Sequence, residues 1–360
     1  MTTMYELFHH AGVDLSLQQV FLILGGIKNS LLYIQHKSVK LFIPSGFTDI
    51  SCPFVFEKFG FPYEAITVSE YIQRYQKEEN FTTEYMAILP FSSEVLRIRE
   101  LDYVDLTLFG QSYLPIHSVD SEGNRFILRT DDVQDDSSWL DIDVCLQLES
   151  SHSWLLEDNL SVYILSRKQL KQCQCIQKIH QLDSKELLEE MATAFLKNTY
   201  VDFNDGVVRI EGEQVYVHFI KQFEKCADAL RNTESQKQQA LILKYVKVEL
   251  RYFRQFILAG TDGYYRNEFA EVLKVLFDDE SNPSKILNIK QWELISKKWR
   301  VLGRKLDMRL KRNKDIEEWI NTLEVLVKHF HTVQTLETAA THDLKQILAS
   351  EKKKYLFSLS

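Results

Sequence analysis

Thiols and imidazoles are the side chains best suited to nucleophilic chemistry, and this chain of 360 residues holds five cysteines and ten histidines. Cys52 stands in Asp49-Ile50-Ser51-Cys52-Pro53, near an expected helix start, where the helix dipole and exposed amides would favour a thiolate. The same residue also reads as a small, half-buried hydrophobe before a turn. Cys173-Gln174-Cys175 lacks the further, regularly spaced ligands that a tetrahedral zinc ion requires. His9-His10 are adjacent on a helix, so their rings diverge; they suit the negative end of the dipole better than a metal. Asp131, Asp132, Asp135, Asp136, Asp141 and Asp143 supply oxygens that calcium would accept, but without the ligand spacing and turn glycine of an EF-hand loop. A solvated loop leading into a strand accounts for them. No metal and no cofactor is expected.

A second pattern concerns binding. Between Pro283 and Lys314 stand Lys285, Lys290, Lys297, Lys298, Arg300, Arg304, Lys305, Arg309, Lys311, Arg312 and Lys314, opposed only by Glu293 and Asp307. Trp292, Ile295, Trp299, Leu302, Leu306 and Leu310 recur at helical spacing, and most of the cations lie off that stripe. The helix is therefore amphipathic with a positive outer face. Such a face is either ordinary solvated surface or a dock for an acidic partner steered by charge.

The elements that would position these residues differ between the two halves. Thr3-Met4-Tyr5-Glu6 is a capping box that starts a first helix, and a second runs from about residue 16 to Gly25-Gly26. Runs rich in β-branched and aromatic residues predict strands over 39–43, 65–68, 85–89, 103–109, 125–130, 140–146 and 161–165. Helices are expected over 49–59 and 69–77. The pattern is α+β, with the late strands forming an antiparallel sheet. After Asp183-Ser184-Lys185-Glu186, a helix start, the sequence reads as all-α, with helices over 234–258, 286–310, 315–333 and 335–350. The boundary falls near 166–183, giving domains over 1–170 and 183–355.

Composition bounds the function classes. Hydrophobic residues make up 45% and charged residues 26%, with 12 glycines and six prolines, as in a globular protein without long linkers. Residues 1–180 carry 14 Lys+Arg against 24 Asp+Glu, and residues 181–360 carry 29 against 27; the halves are −10 and +2, summing to the net −8. An acidic chain argues against general nucleic-acid binding. No stretch reaches the ~20 apolar residues of a membrane span. The absence of an export signal, and an odd cysteine count without regular spacing, predict reduced thiols in the cytoplasm. Oligomeric state is left open.

Three segments together resemble the butirosin biosynthesis protein H family of acyltransferases over most of the chain. They are the helix ending His10-Ala11-Gly12 with Asp14-Leu15-Ser16 and Gly25-Gly26; Tyr113-Leu114-Pro115-Ile116-His117; and Gly260-Thr261-Asp262-Gly263-Tyr264-Tyr265-Arg266-Asn267-Glu268-Phe269, followed by a helix carrying Trp292 and Trp299. The resemblance implies a papain-like, cysteine-acyltransferase-like first domain and a helical second domain. In such enzymes a thiolate at a helix N-terminus attacks an acyl thioester while a histidine shuttles the proton. Family spacing puts the nucleophile just before Met1, and the histidine position falls on Asn124 or Arg125, or near Ser112, with no imidazole at either. His117 is the nearest one, either a substitute or a loop histidine beside Pro115. The resemblance thus implies a catalytically degenerate antibiotic-biosynthesis protein that binds an acyl or peptidyl carrier protein, or a peptide product. Lys297, Arg300, Arg304, Lys305 and Arg266 are its candidate binding residues. The alternatives are an active acyltransferase or thioesterase, and a helical interaction protein with no catalytic role.

Overall fold

A computed structural model describes residues 2–24, 26–27, 30–36, 39–45, 56–57, 59–92, 111–128, 139–143, 145–146, 161–172, 183–202, 207–258, 263–277, 282–310 and 315–358. In chain order the elements are α1 (Thr2–His10), α2 (Leu17–Ile23), β1 (Ser30–His36), β2 (Val39–Ser45), β3 (Glu64–Thr67), α3 (Val68–Lys77), α4 (Phe81–Glu84), β4 (Tyr85–Ser92), β5 (Gln111–Val119), β6 (Arg125–Leu128), β7 (Trp139–Asp141) and β8 (Ser161–Ser166). They continue with α5 (Arg167–Gln172), α6 (Ser184–Leu196), β9 (Thr199–Asp202), β10 (Val207–Glu211), α7 (Gln214–Asn232), α8 (Gln236–Leu258), α9 (Arg266–Leu276), α10 (Pro283–Leu310) and α11 (Ile316–Ser358). Two compact units result: Met1–Val20 with Asp49–Leu182, and Phe21–Thr48 with Asp183–Ser360.

The first unit is mixed α and β around an antiparallel sheet of strand order β3-β8-β4-β5-β6-β7. Alternation along β4 puts Ala87 and Leu89 on one face and Met86 and Ile88 on the other, and all four are buried, so this central strand is covered on both sides. Thr67 and Glu70 form the capping box that starts α3. That helix then lays Val68 and Tyr71 into the core with Phe81, Ile116, Phe126, Val162 and Ile164. The Tyr71 ring meets Phe126 edge-on at 5.6 Å and Phe81 at 5.4 Å. On α1, Leu7 and Phe8 are fully buried, and the helix packs against β5 and α5.

Several expectations shift here. The strand expected over 140–146 stops at Asp141; the backbone turns helical, which lets Ile142 and Cys145, three residues apart, both enter the core. Strand β5 is absent from the strands that composition predicts, because Pro115 interrupts the pattern, whereas the resemblance did imply a strand starting near Ser112. Pro115 has no N–H to donate, yet it stands opposite Ile88 in the pairing with β4. The strand over 103–109 and most of the helix over 49–59 lie outside the described residues.

The second unit is not all-α. A four-stranded antiparallel sheet of order β2-β1-β10-β9 accompanies its helices. Thr199-Tyr200-Val201-Asp202 and Val207-Val208-Arg209-Ile210-Glu211 have the β-branched composition of strands, and β10 finds its partner in β1, 170 or more residues earlier. Residues 21–48, assigned by sequence to the first domain, thereby join the second unit. Helices α7, α10 and α11 form the helical core, with α8 and α9 packed on α10 and α6 on α11. Phe330 of α11 stacks on Phe219 and Phe223 of α7 at 5.6 and 5.7 Å and meets Trp299 of α10 at 6.0 Å. The two helices expected over 315–333 and 335–350 are one, because no glycine or proline intervenes and the Thr335 hydroxyl bonds back to the His331 carbonyl within the helix.

Candidate functional site

The residues singled out for catalysis do not come together among the described residues. Cys52, Cys173, Cys175 and Asp131–Asp136 lie outside them. Cys145 is buried in the core of the first unit, and Asp141 pairs with Arg125 at 3.4 Å. His117 sits on β5 where the pairing with β6 slips by one residue between Ile116 and Ser118, so it is the extra residue of a β-bulge and points to solvent. It forms no hydrogen bond or ion pair among the described residues, whereas a catalytic imidazole needs both a nucleophile and an orienting group within reach. The His9 and His10 rings stand 6.1 Å apart and tilted, with His9 stacked over Tyr5 and His10 lying 2.6 Å from Arg167 Nη1. Arg167 also donates to the Thr82 carbonyl, and burial lowers its pKa against the opposing pull of Glu6. No group of three metal-ligating side chains converges among the described residues.

In the second unit the glycine-rich turn builds a buried node. Gly263 has φ +81°, and a Cβ there would lie 2.6 Å from Ser296 Oγ and 2.8 Å from its carbonyl oxygen, so only glycine fits. Tyr264 and Tyr265 follow with φ of 61° and 62°, a left-handed pair that bulky side chains avoid at a cost of roughly 1–2 kcal/mol each. Arg266 holds them: its Nη1 donates to the Tyr264 carbonyl at 2.9 Å and its guanidinium lies 4.7 Å from the Tyr264 ring. Its Nε and Nη2 donate to the two oxygens of Glu337 at 2.8 and 2.7 Å, and both side chains are 0% exposed. Trp299 Nε1 and the Tyr216 hydroxyl add bonds to the same carboxylate at 2.8 and 2.7 Å. Burial opposes the charge on Arg266, but Glu337, Tyr216 and Tyr264 outweigh it and raise its pKa. Burial likewise raises the Tyr264 pKa.

This node corrects one expectation. Arg266, a candidate binding cation by sequence, has a fully enclosed guanidinium, and its carboxylate partner accepts four bonds, leaving neither available to a ligand. Sequence reasoning missed Glu337, although a trace was there. It falls between Val333 and Ala340 on the buried stripe of α11, where a charge must have a partner.

The basic helix divides by depth. Lys285 is buried and ion-paired with Glu351, which also holds Lys185 at 2.9 Å. Arg300 is half-buried, donating from Nη2 to Asn267 Oδ1 and Ser296 Oγ at 3.3 Å. Lys290, Lys297, Arg304 and Lys305 are exposed and form no ion pair among the described residues. A groove of about 490 Å³ between α7 and α11 is rimmed by charges that pair with one another, Arg231 with both Asp228 and Glu324. Among the described residues no helix is long and apolar enough to cross a membrane. No family model matches the chain, and no curated protein does.

Proposed function

We propose that the chain is a non-catalytic relative of the butirosin biosynthesis protein H family that binds an acidic carrier protein, or a peptide product, of a natural-product assembly line. The observation that carries this reading is the set of exposed cations Lys290, Lys297, Arg304 and Lys305 on the outer face of α10, without ion-pair partners among the described residues. Cations left in water retain their attraction for a distant anionic surface, and that attraction steers encounter. A mixed α/β unit with an antiparallel sheet beside a largely helical unit supports the family reading in composition, although residues 21–48 belong to the second unit. The papain-like identity of the first unit belongs to the same proposal. His117, solvent-facing and without an orienting partner among the described residues, supports the degenerate version over an active transferase.

The test is to titrate a fluorescent, acyl-loaded carrier protein with the full chain while following the acyl thioester by intact mass. Binding without thioester loss, weakened at high salt and by Lys297→Glu with Arg304→Glu, is the expected result, because salt shortens the Debye length from ~10 Å at 0.1 M to ~3 Å at 1 M. Turnover abolished by Cys52→Ala or His117→Ala would establish the active enzyme instead. Binding indifferent to salt and to charge reversal would remove the docking reading.

A further inference from the structure

The outer face of α10 carries more than charge. Leu287, Leu294 and Val301 are 58%, 45% and 42% exposed, on a helix whose opposite stripe is buried through Trp292, Ile295 and Trp299. Their spacing is seven residues, so they form one row, with successive side chains about 10 Å apart along the axis. Single exposed aliphatic residues are ordinary, but a regular row of three on one helix is a seam. Lys290, Lys297 and Arg304 repeat the same seven-residue step three positions later and border the row on one side. Lys298 and Lys305 border it on the other side. Glu293, the residue before Leu294, is already engaged by Lys274 at 2.8 Å.

We infer that this seam receives an amphipathic α-helix from a partner protein, with apolar residues at a seven-residue repeat flanked by Asp and Glu. The inference rests on the reading of α10 as a docking face and specifies its partner. An apolar row gives register and contact, and the cations on both borders demand carboxylates opposite. A second copy of α10 laid antiparallel on the first would bring Lys290 against Arg304, which repels. A lipid surface calls for a broad apolar face with aromatic residues, whereas this row is one residue wide and aliphatic.

The probe is a labelled peptide of about 20 residues, helical by design, with leucines at a seven-residue repeat and glutamates alongside. Its control has the same composition with the leucines moved off the repeat. By fluorescence anisotropy with the full chain, the matched peptide binds about tenfold or more tighter than the control, and Leu294→Glu removes that advantage. Circular dichroism and melting confirm that the variant is folded. Lys297→Glu with Arg304→Glu weakens the acidic peptide, and a lysine-flanked version of it recovers binding. Equal binding of the two peptides, or indifference to Leu294→Glu, overturns the inference. So does binding to phosphatidylcholine–phosphatidylserine vesicles, or self-association of the chain, that is lost in Leu294→Glu without specific peptide binding. If the matched peptide binds in this manner and no carrier protein does, the carrier reading fails while the seam assignment stands. If carrier binding is lost on charge reversal but not in Leu294→Glu, the seam assignment fails and the carrier reading stands.

Discussion

Arg266 and Arg304 are arginines of the same unit with opposite surroundings. Arg266 is enclosed with Glu337, Tyr216, Tyr264 and Trp299, and its donors fix the turn that starts α9. Arg304 stands in a row of cations on the outer face of α10, with no ion pair among the described residues. In the interior, taking charge from water is costly, so an ion pair survives only when every hydrogen-bonding site is matched. At the surface, water supports the charge, and little folding energy depends on it. The first arrangement can specify a fold but bind nothing; the second can bind but contributes little to the fold.

The difference can be broken from either side. The largest effect is expected from Glu337→Ala, which strands a buried guanidinium and should cost about 3–5 kcal/mol in urea unfolding. Replacing both partners, Arg266→Met with Glu337→Leu, should cost less than the two single changes added together. An additive result would mean that the node is not a coupled unit. Gly263→Ala follows, at about 1–3 kcal/mol, because a left-handed residue would drive its Cβ into Ser296. In the first unit, Thr67→Ala removes the side-chain acceptor of a capping box and should cost about 1 kcal/mol by thermal melting.

Smaller effects probe the surface side. His329 donates to the Lys298 carbonyl from beneath the basic helix, and burial, aided by Lys305 and Lys298, holds its pKa below the ordinary 6.5 despite that bond. The unfolded chain then takes up the proton more readily than the folded one. The contribution is present above about pH 6.5 and is lost as pH falls below it, with a slope that His329→Gln should reduce. Smallest of all, Lys297→Glu with Arg304→Glu should shift stability by no more than about 0.5 kcal/mol while weakening acidic-peptide binding. A large loss of stability in that variant would place these side chains in the fold rather than at a dock.

Local chemistry made much of the fold legible. The strands at β3, β4, β6 and β8, the helix α3 and the buried tryptophan stripe of α10 follow from side-chain type and spacing within a few residues. Much of what escaped was non-local, since the sheet that joins β1 and β2 to β9 and β10 depends on partners more than 160 residues away. Pro115 added a local cause, because it breaks the composition signal of β5. The site divides in the same way. The cation row could be read from one helix alone, but Leu287, Leu294 and Val301 became a seam only once packing showed which apolar residues the core leaves outside.

The sequence by itself determined the amphipathic character of α10 and the acidic balance of the first half, because each is set by residue type and spacing along the chain. Tertiary structure alone decided that Arg266 is enclosed and Arg304 is not, that Lys285 belongs to Glu351, and that His117 stands exposed on a bulge. The physical reason is that the worth of a charge depends on its local dielectric and on partners brought together by folding, and neither is encoded at the position of the charge itself.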